Sequence, residues 1–341
     1  MHDLTARLRE GADLPEEDVL QAVSSLVSPE VDEAAKGDFL KALRAKGETA
    51  AEIAAFARAL LAHAVDPEID PARLSGPMLD VCGTGGDKMD LFNVSTTSMF
   101  VLAAGGAVVV KHGNRAITSQ CGGADVLEEL GVRIDLPPDR LSRCVEEVGL
   151  GFVFAPAYHP AFKAIVPVRK QLAAEGIPTI FNILGPLLNP ARPPCQLVGI
   201  FDAMKLPIYG EVLSGLGRTR AWALNSSGAD EILPFGSTRV VEAAAGAVPR
   251  EFSIDPGELG IEPCTHDELR GGSRQENAYI LLSVLDGSER GAKREVVALN
   301  AAAGFVVTGL VPDLPAGLAY AREQIDSGHA LSKLRDLQLF A

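Results

Sequence analysis

The stretch that decides the fold is Asp80–Leu130, which reads DVCGTGGDKMDLFNVSTTSMFVLAAGGAVVVKHGNRAITSQCGGADVLEEL. It contains two glycine-bearing turns, Gly83–Asp87 (GTGGD) and Lys111–Arg115 (KHGNR). Each turn follows a short apolar run and precedes a segment with a helical pattern. Backbone N–H groups at the start of a helix bind anions well. Two such units in close succession therefore predict a phosphate-rich ligand held between two strand-to-helix turns.

The composition is that of a globular protein. Of the 341 residues, 47% are hydrophobic and 22% are charged, and this length corresponds to about two domains. The longest uncharged apolar run, Met99–Val110, is shorter than the roughly 20 residues that a membrane-spanning helix needs. The N-terminus is acidic and lacks the apolar core of a signal peptide. We therefore expect a cytoplasmic enzyme.

The charge balance and the cysteines exclude several classes of protein. The net charge is −14, whereas nonspecific binding to nucleic acid or to an anionic membrane needs a basic surface. Neither partner is expected. The five cysteines are scattered and show no CxxC spacing, which argues against a disulfide framework and against a zinc site. We expect reduced thiols that are mostly buried.

Residues 1–72 show only helical patterns. Apolar residues recur at helical spacing, and Thr49–Glu52 (TAAE) is a capping-box pattern that predicts a helix start. A stretch rich in Pro, Asp, Ser and Gly, Pro67–Pro77, is typical of a linker. These helices carry more apolar surface than a small group can hide, so docking on the rest of the chain or pairing with another subunit would cover it. A packed helical cap without an interface fits the pattern equally well.

From Met78 onward, strand patterns alternate with helix patterns. The predicted strands are Met78–Cys82, Ala107–Lys111, Val132–Leu136, Gly151–Phe154, Gln196–Phe201 and Ala221–Leu224. The predicted helices are Ser95–Ala104, Ala124–Leu130, Asp139–Val148, Pro160–Ala173, Lys205–Leu216, Asn277–Leu285, Asn300–Thr308 and Leu314–Ser327. Arg239–Cys264 is less regular and predicts a hairpin with loops.

This alternation predicts an α/β fold with a mainly parallel central sheet that is flanked by helices. A small all-helical N-terminal domain would precede it. We place the two domains at residues 1–72 and 76–341, with the helix at 160–176 as a candidate addition to the helical domain. Ligands of such sheets bind outside the carboxyl ends of the strands, and both glycine turns follow predicted strand ends.

The first turn alone is a weak signal. The glycines of Gly83–Asp87 let several N–H groups converge on an anion, but for this motif taken alone an ordinary structural turn is the favoured interpretation. The turn is neither a Walker loop nor a dinucleotide fingerprint, because the Gly-Lys-Ser/Thr ending and the GxGxxG spacing are absent. Asn93–Thr97 follows at the start of an apolar helix. An N-cap and a phosphate site are compatible interpretations there.

Charged residues give sharper signals. Lys111–Arg115 places two cations, an imidazole and an amide around a glycine, although solvated charges at a strand end remain an alternative. Asp230 and Glu231 are adjacent carboxylates in a predicted loop. Such pairs are usually solvated surface. Beside a pyrophosphate they would instead bind Mg²⁺, because this ion takes carboxylate oxygens together with phosphate and water.

In combination and in this order, the motifs of the chain resemble those of the anthranilate phosphoribosyltransferase family. The resemblance extends over essentially the whole sequence. The matching segments are GTGGD at Gly83–Asp87, NVST at Asn93–Thr96, KHGNR at Lys111–Arg115, GADVLEELG at Gly123–Gly131, FAPAYHPA at Phe154–Ala161, PVRK at Pro167–Lys170, TIFNILGPLLNP at Thr179–Pro190, QLVGIFD at Gln196–Asp202, ADE at Ala229–Glu231 and LNAAAGFVVTG at Leu299–Gly309.

The resemblance implies a helical domain joined by a hinge to a large α/β domain, and a homodimer formed through the helical domains. It also implies transfer of the phosphoribosyl group from 5-phosphoribosyl-1-pyrophosphate, the donor, to the amino nitrogen of anthranilate, the acceptor. The reaction would require Mg²⁺ and would belong to tryptophan biosynthesis.

The resemblance further implies the roles of individual residues. Donor binding would fall to Gly83, Thr84, Gly85, Gly86, Asp87, Leu91, Asn93, Val94, Ser95, Thr96, Lys111, His112, Gly113, Asn114, Arg115, Ser119 and Gly123. The metal would be served by Ser95, Asp230 and Glu231. The acceptor would meet Gly83, His112, Asn114, Tyr158, His159 and Arg169. A planar guanidinium such as that of Arg169 suits a carboxylate.

The chain departs from the family pattern at a few positions. Leu91 stands where a Ser or Thr is usual, and Gly123 stands where a Ser is frequent. Lys88 follows GTGGD where Gly is common. These departures lie on the donor side, and none of them involves Asn114 or Arg169.

The implied chemistry is displacement of pyrophosphate at an anomeric carbon. It needs a stabilised leaving group, an aligned nucleophile and exclusion of water. An aromatic amine is neutral and nucleophilic at pH 7, so we expect no single essential general base. Two alternatives remain: a pyrimidine-nucleoside phosphorylase-like enzyme, and a non-catalytic relative that binds nucleic acid. The acidic pair and the KHGNR motif favour pyrophosphate and Mg²⁺ over the first, and the net charge of −14 argues against the second.

Overall fold

The computed structural model describes residues 1–86, 89–116 and 120–340. Four helices come first, and strands and helices alternate after them. The N-terminal helices are α1 (His2–Arg9), α2 (Glu16–Val27), α3 (Glu33–Lys46) and α4 (Ala50–Leu61). They are followed by β1 (Met78–Gly83), α5 (Val94–Ala104), β2 (Val108–Gly113), α6 (Gly123–Glu129), α7 (Pro138–Val148), β3 (Leu150–Phe154), α8 (Ala155–Tyr158), α9 (Val166–Ala174), α10 (Phe181–Leu184), β4 (Cys195–Gly199), α11 (Leu206–Gly215), β5 (Arg220–Ser226), β6 (Thr238–Ala243), β7 (Arg250–Ile254), α12 (Arg274–Leu285), α13 (Ala292–Thr308), α14 (Leu314–Asp326) and α15 (His329–Leu339).

The seven strands form one sheet in the order β3-β2-β1-β4-β5-β6-β7. The first five in this order pair in parallel, and β6 and β7 form the predicted hairpin, antiparallel to each other and to β5. Helices α5 and α13 pack against one face of the sheet. The N-terminal helices, α9 and α11 share an apolar core with the other face. The predicted α/β architecture with a helical N-terminal region is confirmed.

The N-terminal helices hide their apolar faces against each other and against the α/β part. The predicted capping box is present: Thr49 Oγ1 accepts from the Glu52 N–H, and Glu52 caps the Thr49 N–H in return. Helix α3 lies so close to α9 that a Cβ added at Gly37 would contact Val168 at 3.8 Å. Helix α4 packs against α11. Docking on the rest of the chain, one of the two expected ways of covering this surface, is therefore present.

Three secondary-structure predictions need correction. Val132–Leu136 is not a strand but an extended loop. Its odd-numbered residues are exposed and its even-numbered residues are buried in the main core. The sequence therefore alternates like a strand, although the segment pairs with no strand in the described part of the chain. The helix predicted over Pro160–Ala173 is divided into a 3₁₀ turn, Pro160–Ala164, and α9, because Pro167 lacks an N–H and is suited to a helix start. Helix α15 was not predicted.

The five cysteines are free, and all except the partly exposed Cys264 are buried, as expected. No helix within the described ranges is long and apolar enough to cross a lipid bilayer.

Candidate active site

Both glycine turns lie at the carboxyl edge of the sheet, where β1 and β2 separate. The two strands pair at Met78–Val108 and Leu79–Val109. Beyond this point each strand continues to pair with its outer neighbour only, β1 with β4 and β2 with β3. Strands β2 and β3 lie on one side of β1 in the sheet, and the later strands, beginning with β4, lie on its other side. The switch point of the topology, where open α/β sheets bind ligands, therefore lies between β1 and β4, next to the first turn.

Where β1 and β2 separate, their facing backbone groups no longer bond to each other, and side chains supply the hydrogen-bond partners instead. The buried Asp80 accepts a hydrogen bond from the His112 N–H at 3.2 Å. The buried Lys111 donates to the Val81 carbonyl, and Asn189 donates to the Val110 carbonyl at 2.7 Å. Burial raises the pKa of Asp80, and the nearby Lys111 ammonium opposes the shift. These bonds hold the two strand ends at a fixed separation.

The first turn encloses the side chain of Asp230. Asp230 Oδ2 accepts from the Gly85 N–H at 2.7 Å. A Cβ at Gly83 would lie 2.2 Å from the same oxygen, and one at Gly199 would lie 1.6 Å from the Asp230 carbonyl oxygen. Gly85 also has a positive φ of 67°, which favours glycine. Glycine is therefore required on both β1 and β4 to admit the Asp230 loop.

Glu231 lies at the N-terminus of α5. Its Oε1 accepts from the Ser95 N–H at 3.1 Å, a favourable position because the first turn of a helix attracts negative charge. Lys111 donates to Ser95 Oγ at 3.1 Å. A small cavity is lined by these acidic and hydroxyl groups, among them Ser95, Asp230 and Glu231. The structure thus brings the three predicted metal-site residues together, with a buried cation beside them.

The donor set fits Mg²⁺. Two carboxylates and one hydroxyl are hard oxygen ligands, and this ion prefers them. Among the described residues, no group of three or more His, Cys, Asp and Glu side chains could hold a metal ion. The site suits an ion that takes its remaining oxygens from phosphate and water, as Mg²⁺ does.

The segment that leads into α6 contacts the start of α5. Asn93 donates to the Cys121 carbonyl at 3.1 Å and makes no side-chain cap of α5. Asn93 Oδ1 is buried and has no hydrogen-bond partner in the described part of the chain, so it is an acceptor that a ligand could satisfy. A Cβ at Gly123 would lie 2.9 Å from Thr96 Oγ1. Because glycine stands at position 123 where the family often has Ser, the start of α6 lies close to α5.

Asp125 fixes the loop that follows the second turn. Its Oδ2 accepts from the Ala116 N–H at 2.8 Å and from the Gly122 N–H at 2.9 Å, so one buried carboxylate joins both ends of the loop. Arg274 pairs with the same carboxylate at 2.5 Å. Sequence reasoning did not select Asp80 or Asp125. Each of them is an acidic residue among apolar neighbours in the sequence, and this is the signal that could have identified them.

A row of aromatic rings leads away from the second turn. The ring centres of His112 and His159 are 5.2 Å apart, and those of His159 and Phe162 are 5.0 Å apart. Phe181 comes next at 5.9 Å, and the Arg169 guanidinium lies 5.1 Å from its ring centre. Burial lowers the pKa of Arg169, and no carboxylate among the described residues opposes this shift. Its charge is therefore available for an anionic ligand.

The two histidines are held neutral. The His112 residue is partly exposed, but its ring Nε2 is buried and has no partner among the residues that the structure describes. Burial, followed by the neighbouring His159, lowers the pKa of His112 to about 3. Burial also lowers the pKa of His159, whose Nε2 lies 2.8 Å from the Leu188 carbonyl. Neither imidazole is suited to take up a proton at neutral pH.

Several predicted site residues have other partners in this structure. The Tyr158 hydroxyl donates to the Leu136 carbonyl at 2.9 Å and is buried in the main core. Arg115 pairs with Glu128 at 2.7 Å. Leu91 forms a backbone bridge with Arg270.

The remaining predicted residues that the structure describes lie in the two turns or at the start of α5. Thr84 joins the first turn to the end of β4, because its Oγ1 accepts from the Phe201 N–H at 3.1 Å. Asn114 is exposed, and its side chain accepts from the following N–H at 2.8 Å. Val94 is buried at the start of α5, and Gly86 and Gly113 belong to the first and second turns. Asp87, Lys88 and Ser119 lie outside the described residues.

Comparisons with known proteins agree with this arrangement. The helical bundle domain of a glycosyl transferase family matches residues 2–64, and the a/b domain of the same family matches residues 75–331. The anthranilate phosphoribosyltransferase of Natronomonas pharaonis is 44% identical over 340 residues, covering 100% of this chain and 99% of the relative. That of Desulfatibacillum aliphaticivorans is 43% identical over 339 residues, covering 99% and 98%.

Solved structures give the same result. The crystal structure of anthranilate phosphoribosyltransferase from Thermus thermophilus has a TM-score of 0.91 and 39% identity, and the match covers 99% of each chain. The enzyme from Saccharomyces cerevisiae in complex with PRPP and Mg has a TM-score of 0.83 and 27% identity, covering 95% of this chain and 92% of that one. The chain belongs to the anthranilate phosphoribosyltransferase family.

Proposed function

We propose that this chain transfers the phosphoribosyl group from 5-phosphoribosyl-1-pyrophosphate to the amino group of anthranilate. The products are N-(5'-phosphoribosyl)anthranilate and pyrophosphate, and the step belongs to tryptophan biosynthesis. One observation carries the proposal: an acidic pair, Asp230 and Glu231, contacts both the first glycine turn and the N-terminus of α5. That arrangement places two carboxylates suited to a metal directly beside a glycine turn and a helix start, the kind of backbone that binds phosphate.

At the donor end, the chain supplies backbone donors and one buried cation. The first turn and the start of α5 present N–H groups, which bind phosphate oxygens well. Lys111 adds positive charge beside Ser95 Oγ. Such preorganised groups stabilise the charge that develops on the leaving pyrophosphate.

Asp230, Glu231 and Ser95 would hold Mg²⁺ together with the pyrophosphate. When bound, Mg²⁺ neutralises part of the charge on the leaving group. The Saccharomyces cerevisiae relative was solved with PRPP and Mg, which supports this ion for the present chain.

At the acceptor end, Arg169 and Asn114 would orient anthranilate. The Arg169 guanidinium faces the Phe181 ring and suits the acceptor carboxylate. His112 and His159 would line the path of the aromatic ring. Both imidazoles have lowered pKa values, so they provide apolar and hydrogen-bonding surface without charge. Holding the amine close to the anomeric carbon makes the displacement effectively unimolecular.

No side chain is assigned as an essential general base. The amine of anthranilate attacks as the neutral species; the C–N bond forms as the C–O bond to pyrophosphate breaks, and the proton then passes to the released pyrophosphate or to water. His112, the imidazole of the second turn, has a pKa of about 3, and so weak a base is poorly matched to proton transfer at pH 7.

We also propose that residues 1–72 form a helical domain through which two copies of the chain pair. Leu20 on α2 is a large apolar residue with 49% exposure, which supports a further contact on this surface. Light scattering coupled to size-exclusion chromatography would give a mass of two chains, and a Leu20→Glu variant would lower the dimer fraction. A monomer of the unaltered protein would contradict the pairing.

The function is tested by mixing the protein with the donor, Mg²⁺ and anthranilate and following the fluorescence of anthranilate. We expect the fluorescence to fall only when all three are present, with release of one pyrophosphate for each anthranilate consumed. Unchanged fluorescence with a bound donor would overturn the acceptor assignment. Phosphorolysis of a pyrimidine nucleoside, assayed in parallel, would place the chain with the nucleoside phosphorylases instead.

A further inference from the structure

Asn300 is a polar residue inside an otherwise apolar helix. It lies in α13 within the sequence VVALNAAAGFVV, and it is 1% exposed. An amide is costly to bury unless its hydrogen bonds are satisfied, so its position requires a structural reason. This pattern was also the signal in the sequence that could have singled it out.

The side chain of Asn300 binds the backbone of a single residue, Ile232, at two points. Its Oδ1 accepts from the Ile232 N–H at 3.0 Å, and its Nδ2 donates to the Ile232 carbonyl at 2.9 Å. Nδ2 also donates to the Val296 carbonyl within α13 at 2.8 Å. Two bonds to the same residue fix both the position and the orientation of its backbone, as one residue of a strand ladder would.

Ile232 directly follows the acidic pair. On the other side of the pair, the Ala229 N–H donates to the Ser226 carbonyl at 2.9 Å, and the Ser226 N–H donates to the Ala229 carbonyl at 3.1 Å. The two carboxylate-bearing residues are therefore a short segment anchored at one end to β5 and at the other end to Asn300. Asn300 also lines the small cavity that contains Asp230 and Glu231.

We propose that Asn300 is a positioning residue for the metal ligands of the active site. It holds the Ile232 peptide so that Glu231 stays at the N-terminus of α5 and Asp230 stays in the first glycine turn. Its three side-chain hydrogen bonds all go to backbone groups of the chain, so it acts through the ligands that it positions. The inference rests on the proposed function, because it assumes that Asp230 and Glu231 serve Mg²⁺ and pyrophosphate. Residues that orient metal ligands typically change metal affinity by about 10–100-fold when they are replaced.

The test uses Asn300→Leu, which keeps the branched shape of the side chain but removes the two-point bond. Binding of Mn²⁺ in the presence of pyrophosphate is measured by electron paramagnetic resonance, without turnover. We expect the Mn²⁺ dissociation constant to rise by about tenfold or more, whereas the KM for anthranilate changes less than about twofold, because the acceptor end is unaltered.

Asn277→Leu is the matched control. Asn277 is 3% exposed and also makes a two-point bond from a helix, to the Gly272 backbone at 3.0 and 3.4 Å. It anchors a different loop, so its loss is expected to leave Mn²⁺ affinity within about twofold. Equal shifts in the two variants, or an unchanged Mn²⁺ affinity in Asn300→Leu, would overturn the assignment.

Asn300→Asp keeps the test decisive if the leucine variant does not fold. It retains an oxygen for the Ile232 N–H but loses the donor for the Ile232 carbonyl. We expect weaker Mn²⁺ binding and faster hydrogen exchange at the Ile232 amide, and unchanged values of both would refute the positioning role. If the unaltered protein itself fails to bind Mn²⁺ with pyrophosphate, the metal assignment falls and the inference falls with it. If the unaltered protein and both Asn300 variants all bind Mn²⁺ with the same affinity, the positioning role of Asn300 is refuted, and the metal assignment stands.

Discussion

The neutral state of His112 leads to a prediction about stability and pH. The folded protein lowers the pKa of this imidazole from 6.5 to about 3. Because the folded state resists protonation, the residue stabilises the fold fully above pH 6.5, and this contribution is lost progressively as the pH falls from 6.5 towards 3. His112→Ala removes the titrating group and, with it, this part of the pH dependence.

The size of the effect follows from the shift. Between pH 7 and pH 5, the unfolded state gains most of a proton at this position and the folded state gains almost none. Integration of the proton difference gives a loss of about 2 kcal/mol over that interval. The free energy of unfolding of the unaltered protein should therefore fall by about 2 kcal/mol more than that of His112→Ala.

The assay is urea unfolding of both proteins at pH 7 and pH 5, with His2→Ala, at an exposed histidine, as the control. Comparing differences between pH values removes the pH-independent cost of the cavity that the alanine leaves. His112→Ala should also keep measurable turnover. An equal pH dependence in the two proteins, or an imidazole that titrates near pH 6.5 by nuclear magnetic resonance, would refute the reasoning.

Three further variants test other parts of the structure. Gly83→Ala would place a Cβ 2.2 Å from Asp230 Oδ2, and we expect kcat/KM for the donor to fall by about 100-fold or more in steady-state kinetics while the protein stays folded by circular dichroism. Asp80→Ala removes the acceptor of the His112 N–H, and hydrogen exchange at that amide should accelerate, whereas unchanged protection would contradict the bridging role. Thr49→Ala removes the capping box of α4 and should lower the free energy of unfolding by about 1 kcal/mol without changing the KM for either substrate.

Much of the fold could be predicted because local signals agreed with tertiary structure. The apolar runs before the two glycine turns are strands, and the turns are at their carboxyl ends, as the βα alternation requires. The capping box at Thr49 begins a helix because the interaction is local and needs no distant partner.

The errors arose where burial alone produced a pattern. Val132–Leu136 alternates between buried and exposed residues because one side of an extended loop packs on the core. A period of two residues reports which side is buried, and it does not report whether a neighbouring strand supplies hydrogen bonds. Helix α15 is amphipathic and packs against α5 and α14, and the Ser327-Gly328 turn that separates it from α14 is a local signal that the sequence analysis did not use.

The site could be predicted only in part, since its contacts join distant segments. The acidic pair reaches the first turn across more than a hundred residues, and only the family resemblance placed it there. Asn300 and Asp125 escaped notice because their roles depend on which backbone groups tertiary folding presents to them. The separation of β1 from β2, which Asp80 bridges, likewise has no local signature.

The most direct test of the account compares two variants of one site, Asp230→Asn at the proposed metal and donor end and Arg169→Ala at the proposed acceptor end. In steady-state kinetics, Asp230→Asn should raise the Mg²⁺ and donor requirements by about tenfold or more and leave the KM for anthranilate nearly unchanged. Arg169→Ala should raise the KM for anthranilate by about tenfold or more, because a charge-assisted bond to a carboxylate is lost, and leave the donor requirement nearly unchanged. The reverse pattern, or equal effects of both variants on both substrates, would contradict a site with a metal-bound donor at one end and a carboxylate-bearing acceptor at the other.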